Sequence, residues 1–156
     1  MQTAFINSPL GITKIVGDEN GISEISVLNE GQVSSIIPLV LQNSVSQLQD
    51  YFDGKRTDFT FPLHPKGTDF QQRVWKELLN IPFGKTMSYL ELSKKLGNLK
   101  AIRAVASANG KNPIWIVIPC HRVIGTDGSL TGYAGGLWCK KWLLEHENPT
   151  NQQSLF

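Results

Sequence analysis

Two short strings in the middle of the chain dictate how it folds there. Thr68 is followed three residues on by Gln71, and Ser88 three residues on by Glu91. An N-cap hydroxyl accepts from the backbone N–H of the third helical residue, whose side chain in turn accepts from the N-cap N–H, so two otherwise orphaned donors are satisfied. The first string predicts a helix from Thr68 to about Leu79. The second predicts Tyr89–Leu96, stopped by Gly97-Asn98. A further helix, about Lys100–Asn109, follows after a turn of three or so residues, and two short helices joined by a tight Gly-containing turn form a helix-turn-helix pattern. Gly110-Lys111-Asn112-Pro113 then breaks the chain, and Ile114–Ile118 reads as an extended apolar run into Pro119-Cys120. Thr126-Asp127-Gly128 and Gly132-Tyr133-Ala134-Gly135-Gly136 read as loops, and a last helix near Leu137–Glu147 ends at Pro149.

Residues 1–62 have a different texture. Gln2–Ile6 and Ile12–Val16 read as strands around a Ser8–Gly11 turn. Asn20-Gly21 signals a hairpin, because both residues tolerate positive φ, and Ile22–Leu28 returns with alternating apolar and polar positions. A helix over roughly Pro38–Phe52 carries Leu41, Val45, Leu48 and Phe52 at helical spacing and stops at Gly54, and Phe59–Pro62 reads as an edge strand. The expected fold is therefore α/β of the α+β kind. A small N-terminal sheet-and-helix lobe (1–62) and a linker (63–66) precede a mainly helical domain (67–150) with the helix-turn-helix, and a polar tail (151–156) is expected to be disordered.

No uncharged apolar run approaches the ~20 residues of a membrane helix. The N-terminal residues lack the basic region and apolar core of a signal peptide. Two cysteines make no disulfide framework, and three histidines without a CxxC or HxxxH spacing argue against zinc. A cytoplasmic, metal-free protein with no membrane association is expected. The net charge of +2 hides an asymmetry: three bases face seven acids in residues 1–62, and twelve face six in the remainder. Over residues 85–122, Lys85, Lys94, Lys95, Lys100, Arg103, Lys111 and Arg122 are accompanied by Glu91 as the one acid. That segment suits a polyanion, although a solvated lysine-rich face reads the same way.

At the end of that segment stands Pro119-Cys120-His121-Arg122-Val123. Cysteine attacks as the thiolate, and a thiol of pKa ~8.5 needs a base or a positive environment to supply it at neutral pH. Adjacency alone leaves an inert buried thiol equally open, since neighbouring residues do not face each other on a helix. Lys100–Ala108 is dominated by small residues with Arg103 in their midst. Such a helix suits close approach to the minor groove, because readers of the major groove project polar side chains to base edges. Burial for close packing is the competing explanation, weakened by the cost of an unpaired buried arginine.

Seven motifs then agree in order and spacing over half the chain. They are Phe70-Gln71-Gln72-Arg73-Val74-Trp75, Ser88-Tyr89, Arg103-Ala104-Val105, Gly110–Pro113, Pro119–Val123, Thr131-Gly132-Tyr133 and Trp142–Glu147. Through them residues 67–147 closely resemble the C-terminal domain of the O6-alkylguanine-DNA alkyltransferases, the methylated-DNA–protein-cysteine methyltransferases. Residues 1–62 match that family's variable lobe in size and strand-helix character. The resemblance implies a repair protein that binds double-stranded DNA in the minor groove and flips out the damaged guanine. It would move the alkyl group from O6-alkylguanine, with O4-alkylthymine as a second candidate, to its own cysteine, once per molecule and without a cofactor. A monomer in solution is expected.

The resemblance also implies roles for single residues. Cys120 is the nucleophile, His121 takes its proton through a water, and Glu147 orients His121. Tyr89 helps rotate the nucleotide and donates to the base, and Asn112 ties the helix-turn-helix to the cysteine segment. Arg103 fills the gap left by the flipped base, while Lys100, Ala101, Ile102 and Ala104 belong to the DNA-facing helix. Val123, Tyr133, Ala134, Trp115 and Ile118 line the pocket, with the carbonyls of Cys120 and Val123 accepting from the guanine amino group. Arg122 reads as a structural pairing residue, and Cys139, His64 and His146 read as structural. Trp115, Ala134, Leu99 and Ile102 depart from common family choices, which bears on substrate breadth and affinity. Two rival readings are a non-catalytic lesion binder, disfavoured by the presence of Cys120, and a thiol hydrolase, which leaves the helix-turn-helix unexplained.

Overall fold

Strand and helix patterning separate cleanly in the computed structural model, which describes residues 1–130, 133 and 136–149. It divides into two units, Met1–Lys66 and the remainder from Gly67. In the first, β1 (Gln2–Ser8), β2 (Gly11–Asp18) and β3 (Gly21–Leu28) form an antiparallel meander in the order β1-β2-β3. Ala4 pairs with Ile15 and Ile15 with Ile25, so the period-2 pattern places all three on one buried face. The hairpin forms one residue earlier than the Asn20-Gly21 signal implies: Asp18 pairs with Gly21, which leaves Glu19-Asn20 as the loop. Gly21 has φ +138° and a Cβ there would lie 2.8 Å from the Pro62 carbonyl oxygen, so this glycine serves a close backbone approach.

α1 (Gln42–Phe52) packs Val45, Leu48 and Tyr51 into this unit's core. Its expected first turn is instead a 3₁₀ turn, Leu39–Leu41, capped by Pro38. Its end is a Schellman motif: Lys55 N–H donates to Asp50 O (2.8 Å) and Gly54 N–H to Tyr51 O (3.1 Å), with Gly54 at φ +77°. The edge strand expected at Phe59–Pro62 is absent. The Gln47 amide holds Thr60 through two bonds, at 2.9 Å to its N–H and 2.7 Å to its hydroxyl. Pairing shifts to Leu63, which bridges Ile22 in parallel, with Pro62, lacking an N–H, contributing its carbonyl alone.

In the second unit both capping boxes form. Gln71 N–H donates to Thr68 Oγ1 (3.1 Å) and Thr68 N–H to Gln71 Oε1 (2.9 Å), opening α2 (Asp69–Leu78). Glu91 N–H donates to Ser88 Oγ (3.0 Å) and Ser88 N–H to Glu91 Oε1 (3.3 Å), opening α3 (Tyr89–Lys95). The next helix begins with a 3₁₀ turn, Leu99–Ala101, and continues as α4 (Ile102–Gly110). Trp75 Nε1–H donates to Ala108 O at 2.8 Å, which clips α2 to α4. Two pieces of sheet escape the sequence reading: β4 (Met87–Ser88) pairs in parallel with β5 (Val123–Ile124) and so brings Tyr89 beside residues 120–123.

The run Ile114–Ile118 is folded back on itself and not extended. Ile118 N–H donates to Ile114 O (3.1 Å) and Val117 N–H to Trp115 O (2.8 Å), a γ-turn centred on Ile116 at φ +75°. Ile114, Ile116 and Ile118 are each at most 1% exposed, so the apolar pattern records burial on every side. Left-handed backbone at a β-branched residue costs roughly 1–3 kcal/mol, and the surrounding packing must hold it. A second, inverse γ-turn follows at Pro119 (φ −82°, ψ +62°), where Cys120 N–H donates to Ile118 O at 2.8 Å. α5 (Leu137–Glu147) completes the unit and buries Cys139, Lys140, Leu143, Leu144 and Glu147. Among the described residues no helix is long and apolar enough to cross a membrane.

Candidate active site and nucleic-acid interface

Cys120 opens a 3₁₀ turn, Cys120–Arg122, that sets its side chain 5% exposed at the end of the paired γ-turns. Burial pushes its thiol up to about 11, opposed by a hydrogen bond from Asn112 and by the Lys140 ammonium. A buried thiol of this kind needs its proton removed by a neighbour. His121, fully buried, sits with Nε2 2.8 Å from Glu147 Oε2, while its Nδ1 is buried without a hydrogen-bond partner among the described residues. Burial pulls the imidazole below its ordinary value although Glu147 favours the charged form. A neutral ring donating from Nε2 to Glu147 leaves the Nδ1 lone pair as its basic atom.

Glu147 is held by more than the histidine. Arg122 Nε donates to its Oε1 (2.7 Å) and Nη2 to its Oε2 (2.9 Å), a two-pronged clamp, while Nη1 donates to Ile81 O (2.7 Å). Burial disfavours the Glu147 charge, and His121 and Arg122 outweigh it, holding the carboxyl below the usual carboxylate range. We assign the larger share to Arg122, because a neutral imidazole lends Glu147 only a hydrogen bond.

Two side chains of the site escape the sequence reading. Lys140, 0% exposed on α5, has its ammonium 6.0 Å from the Tyr89 ring centroid. Burial lowers it to about 8, with the Cys120 charge acting in the other direction. Its signal was its spacing, since Lys140 and Glu147 lie two turns apart on one helix face. Asn109, 2% exposed at the end of α4, places Nδ2 3.5 Å from Tyr89 Oη and 3.4 Å from Cys120 O. Nothing in the α4 sequence distinguishes it from ordinary helix-end chemistry.

Asn112 lies just past α4, where its Nδ2 donates to Ile118 O (2.7 Å) and its Oδ1 accepts from Ile114 N–H (2.9 Å). It joins the end of the second helix to the turn before Cys120. Val123 and Ile118 are buried beside the cysteine. The rings of Trp115 and Tyr133 meet at 5.7 Å, tilted by 53°. Burial raises the Tyr133 phenol well above its ordinary value. Ala134, Thr131 and Gly132 lie outside the described residues, as does the tail from residue 150.

The face of α4 is sorted. Val105, Ala108 and Asn109 are buried; Lys100, Arg103, Ala104 and Ser107 are exposed, with Ala101 and Ile102 half-buried. The small residues therefore do not all serve interior packing, and Arg103 stands on the outer face among them. Cys139 is buried on α5, and His146 stacks on Trp142 at 4.7 Å. His64 is exposed.

Two family models match the chain: the DNA-binding domain of 6-O-methylguanine DNA methyltransferase over residues 69–149, and its ribonuclease-like domain over residues 1–65. A methylated-DNA–protein-cysteine methyltransferase of Methanosarcina barkeri is 45% identical over 149 residues, covering 91% of this chain and 94% of its own. One from Mycobacterium tuberculosis is 46% identical over 147 residues, covering 91% and 89%. The crystal structure of the M. tuberculosis O6-methylguanine methyltransferase superposes with a TM-score of 0.85 at 43% identity, over 95% of this chain and 93% of that one. The structure of M. tuberculosis OGT in complex with DNA gives 0.86 at 44%, over 96% and 94%.

Proposed function

This chain belongs to the 6-O-methylguanine DNA methyltransferase family and is a DNA-binding methylated-DNA–protein-cysteine methyltransferase, and we propose that it repairs O6-alkylguanine in duplex DNA by one irreversible transfer to Cys120. The observation that carries this reading is the buried His121–Glu147 pair next to Cys120 in the chain, which leaves Nδ1 of a neutral imidazole free to act as a base. His121 takes the thiol proton through a water. The Cys120 sulfur then attacks the alkyl carbon as the C–O6 bond breaks, and the electron pair leaves with the guanine. Tyr89 donates a proton to the departing base so that it leaves neutral, and the relay's proton restores the phenol. The thioether has no good leaving group, so each molecule acts once.

The lesion reaches Cys120 by nucleotide flipping. The exposed face of α4 enters the minor groove, with Lys100, Ala101, Ile102 and Ala104 against the backbone and Arg103 in the vacated stack. Flipping costs a few kcal/mol, least at a poorly paired base, so a damaged guanine is favoured before the pocket reads it. Val123, Tyr133, Trp115, Ile118 and Ala134 wall the pocket, and Asn112 holds the cysteine segment to the helix-turn-helix. O4-alkylthymine is a secondary substrate, and the protein works as a cytoplasmic monomer without a cofactor.

Incubation with duplex DNA carrying O6-methylguanine, followed by intact and peptide mass analysis, tests the reading. The expected result is one added methylene (~14 Da) on the Cys120 peptide, saturating at one equivalent per molecule. Turnover beyond one equivalent would indicate a hydrolase, and tight binding without added mass a lesion binder; either outcome overturns the reading.

A further inference from the structure

Asn109 carries an unexplained polar atom. Its side chain is 2% exposed, and its Oδ1 is buried with no hydrogen-bond partner among the described residues. Leaving a buried acceptor unpaired is unfavourable, and a leucine or alanine in α4 would avoid it, so such a group calls for a ligand. Its position says which one. Nδ2 lies between Tyr89 Oη (3.5 Å) and Cys120 O (3.4 Å), atoms of the two residues that act on the base in the reaction proposed above. These two acceptors fix the amide plane and leave Oδ1 as the end not turned toward either. The Cys120 carbonyl, which the family resemblance implies as an acceptor for the guanine amino group, is thereby already engaged by Asn109, and Oδ1 is a neutral acceptor on the same amide.

We propose that Asn109 is a specificity-determining residue of the base pocket, its Oδ1 accepting a hydrogen bond from the exocyclic amino group of the flipped O6-alkylguanine. O6-alkylation removes the hydrogen from ring N1, so this amino group is the one N–H donor on the base's pairing edge. The inference rests on the repair reading above. It sets a preference for 2-amino purines that lies in a side chain as well as in the backbone.

The test compares single-turnover methyl transfer from duplexes carrying O6-methylguanine or O6-methylhypoxanthine, which lacks the amino group, by the wild type and Asn109→Leu. The wild type is expected to favour O6-methylguanine, and Asn109→Leu to lower that ratio by about tenfold, the worth of one buried neutral hydrogen bond. Because a ratio is read, a general loss of activity cancels. An Asn109→Leu ratio equal to that of the wild type overturns the proposal. If Asn109→Leu does not fold, the side-chain ¹⁵N amide signal of Asn109 is followed in Cys120→Ser bound to each duplex. A shift with O6-methylguanine alone supports the proposal, and the same shift with both overturns it. Absence of any transfer by the wild type would sink the repair reading itself, an outcome distinct from an unchanged ratio.

Discussion

Replacing Glu147 by glutamine tests the buried charge network most directly. The carboxylate receives Arg122 through both oxygens, at 2.7 and 2.9 Å, and His121 at 2.8 Å. Glutamine keeps one acceptor and turns an NH₂ toward at least one donor, while the Arg122 guanidinium, 8% exposed, loses its counter-charge. Breaking a buried pair from one side costs about 3–5 kcal/mol, far more than the pair's net worth. All four tryptophans (Trp75, Trp115, Trp138 and Trp142) follow Gly67, so intrinsic fluorescence during urea unfolding follows this unit alone.

The pH dependence carries a sign. Glu147 has a folded pKa below its unfolded value of about 4.3, so its stabilisation is fully present above that pH and lost as the pH falls below it, at most ~1.4 kcal/mol per pH unit. His121 is also depressed in the fold, so both proteins weaken below about pH 6.5 as the unfolded chain takes up its proton. The gap between wild type and Glu147→Gln should therefore be flat from about pH 8 to 6.5 and shrink below about pH 4.3. Adding Arg122→Met should recover part of the loss, since the uncompensated charge is gone. A loss under about 1 kcal/mol at neutral pH, or a gap that persists unchanged at about pH 3, would refute the reasoning.

Two further outcomes follow from the same geometry. Lys140→Met should slow thiosulfonate labelling of Cys120 near neutral pH; in the wild type the rise of rate with pH should flatten above about 8, where Lys140 gives up its proton, a break the variant lacks. Identical rate–pH profiles would remove the ammonium from the account. Arg103→Ala should slow transfer from duplex DNA by about tenfold or more yet spare the reaction with free O6-benzylguanine, because only the duplex reaction must offset unstacking. Equal losses on both substrates would exclude the intercalating role.

What could be read from the sequence was what is decided locally. The Thr68–Gln71 and Ser88–Glu91 boxes and the Gly54 stop each bind a side chain or a permissive backbone to its own helix within three or four residues, and all three form. The hairpin at Asn20-Gly21 shifted by one residue because a cross-strand register, with Gly21 against Pro62, chose the loop. Ile114–Ile118 reads as extended yet folds back on itself, because a short apolar run records burial without saying whether the chain is extended. Cys120, His121 and Glu147 are named by motif order, and the structure brings His121 Nε2 within 2.8 Å of Glu147 Oε2 across 26 residues. Lys140 and Asn109 are not, because a lysine or an asparagine on a helix becomes part of a site only when packing removes it from water.

The separations within the site have a consequence for when the protein becomes active. A capping box closes over three residues, whereas Arg122 reaches Glu147 across 25 residues and Ile81 across 41, and Asn148 reaches Gly84 across 64. Contacts of such span form late in folding, after the local helices. A chain still emerging or only partly folded presents Cys120 as an ordinary thiol, with His121 not yet oriented and Glu147 at the far end of the unit. On the repair reading proposed above, reactivity toward a lesion matures with the last tertiary contacts, and a molecule able to use Cys120 has already completed its fold.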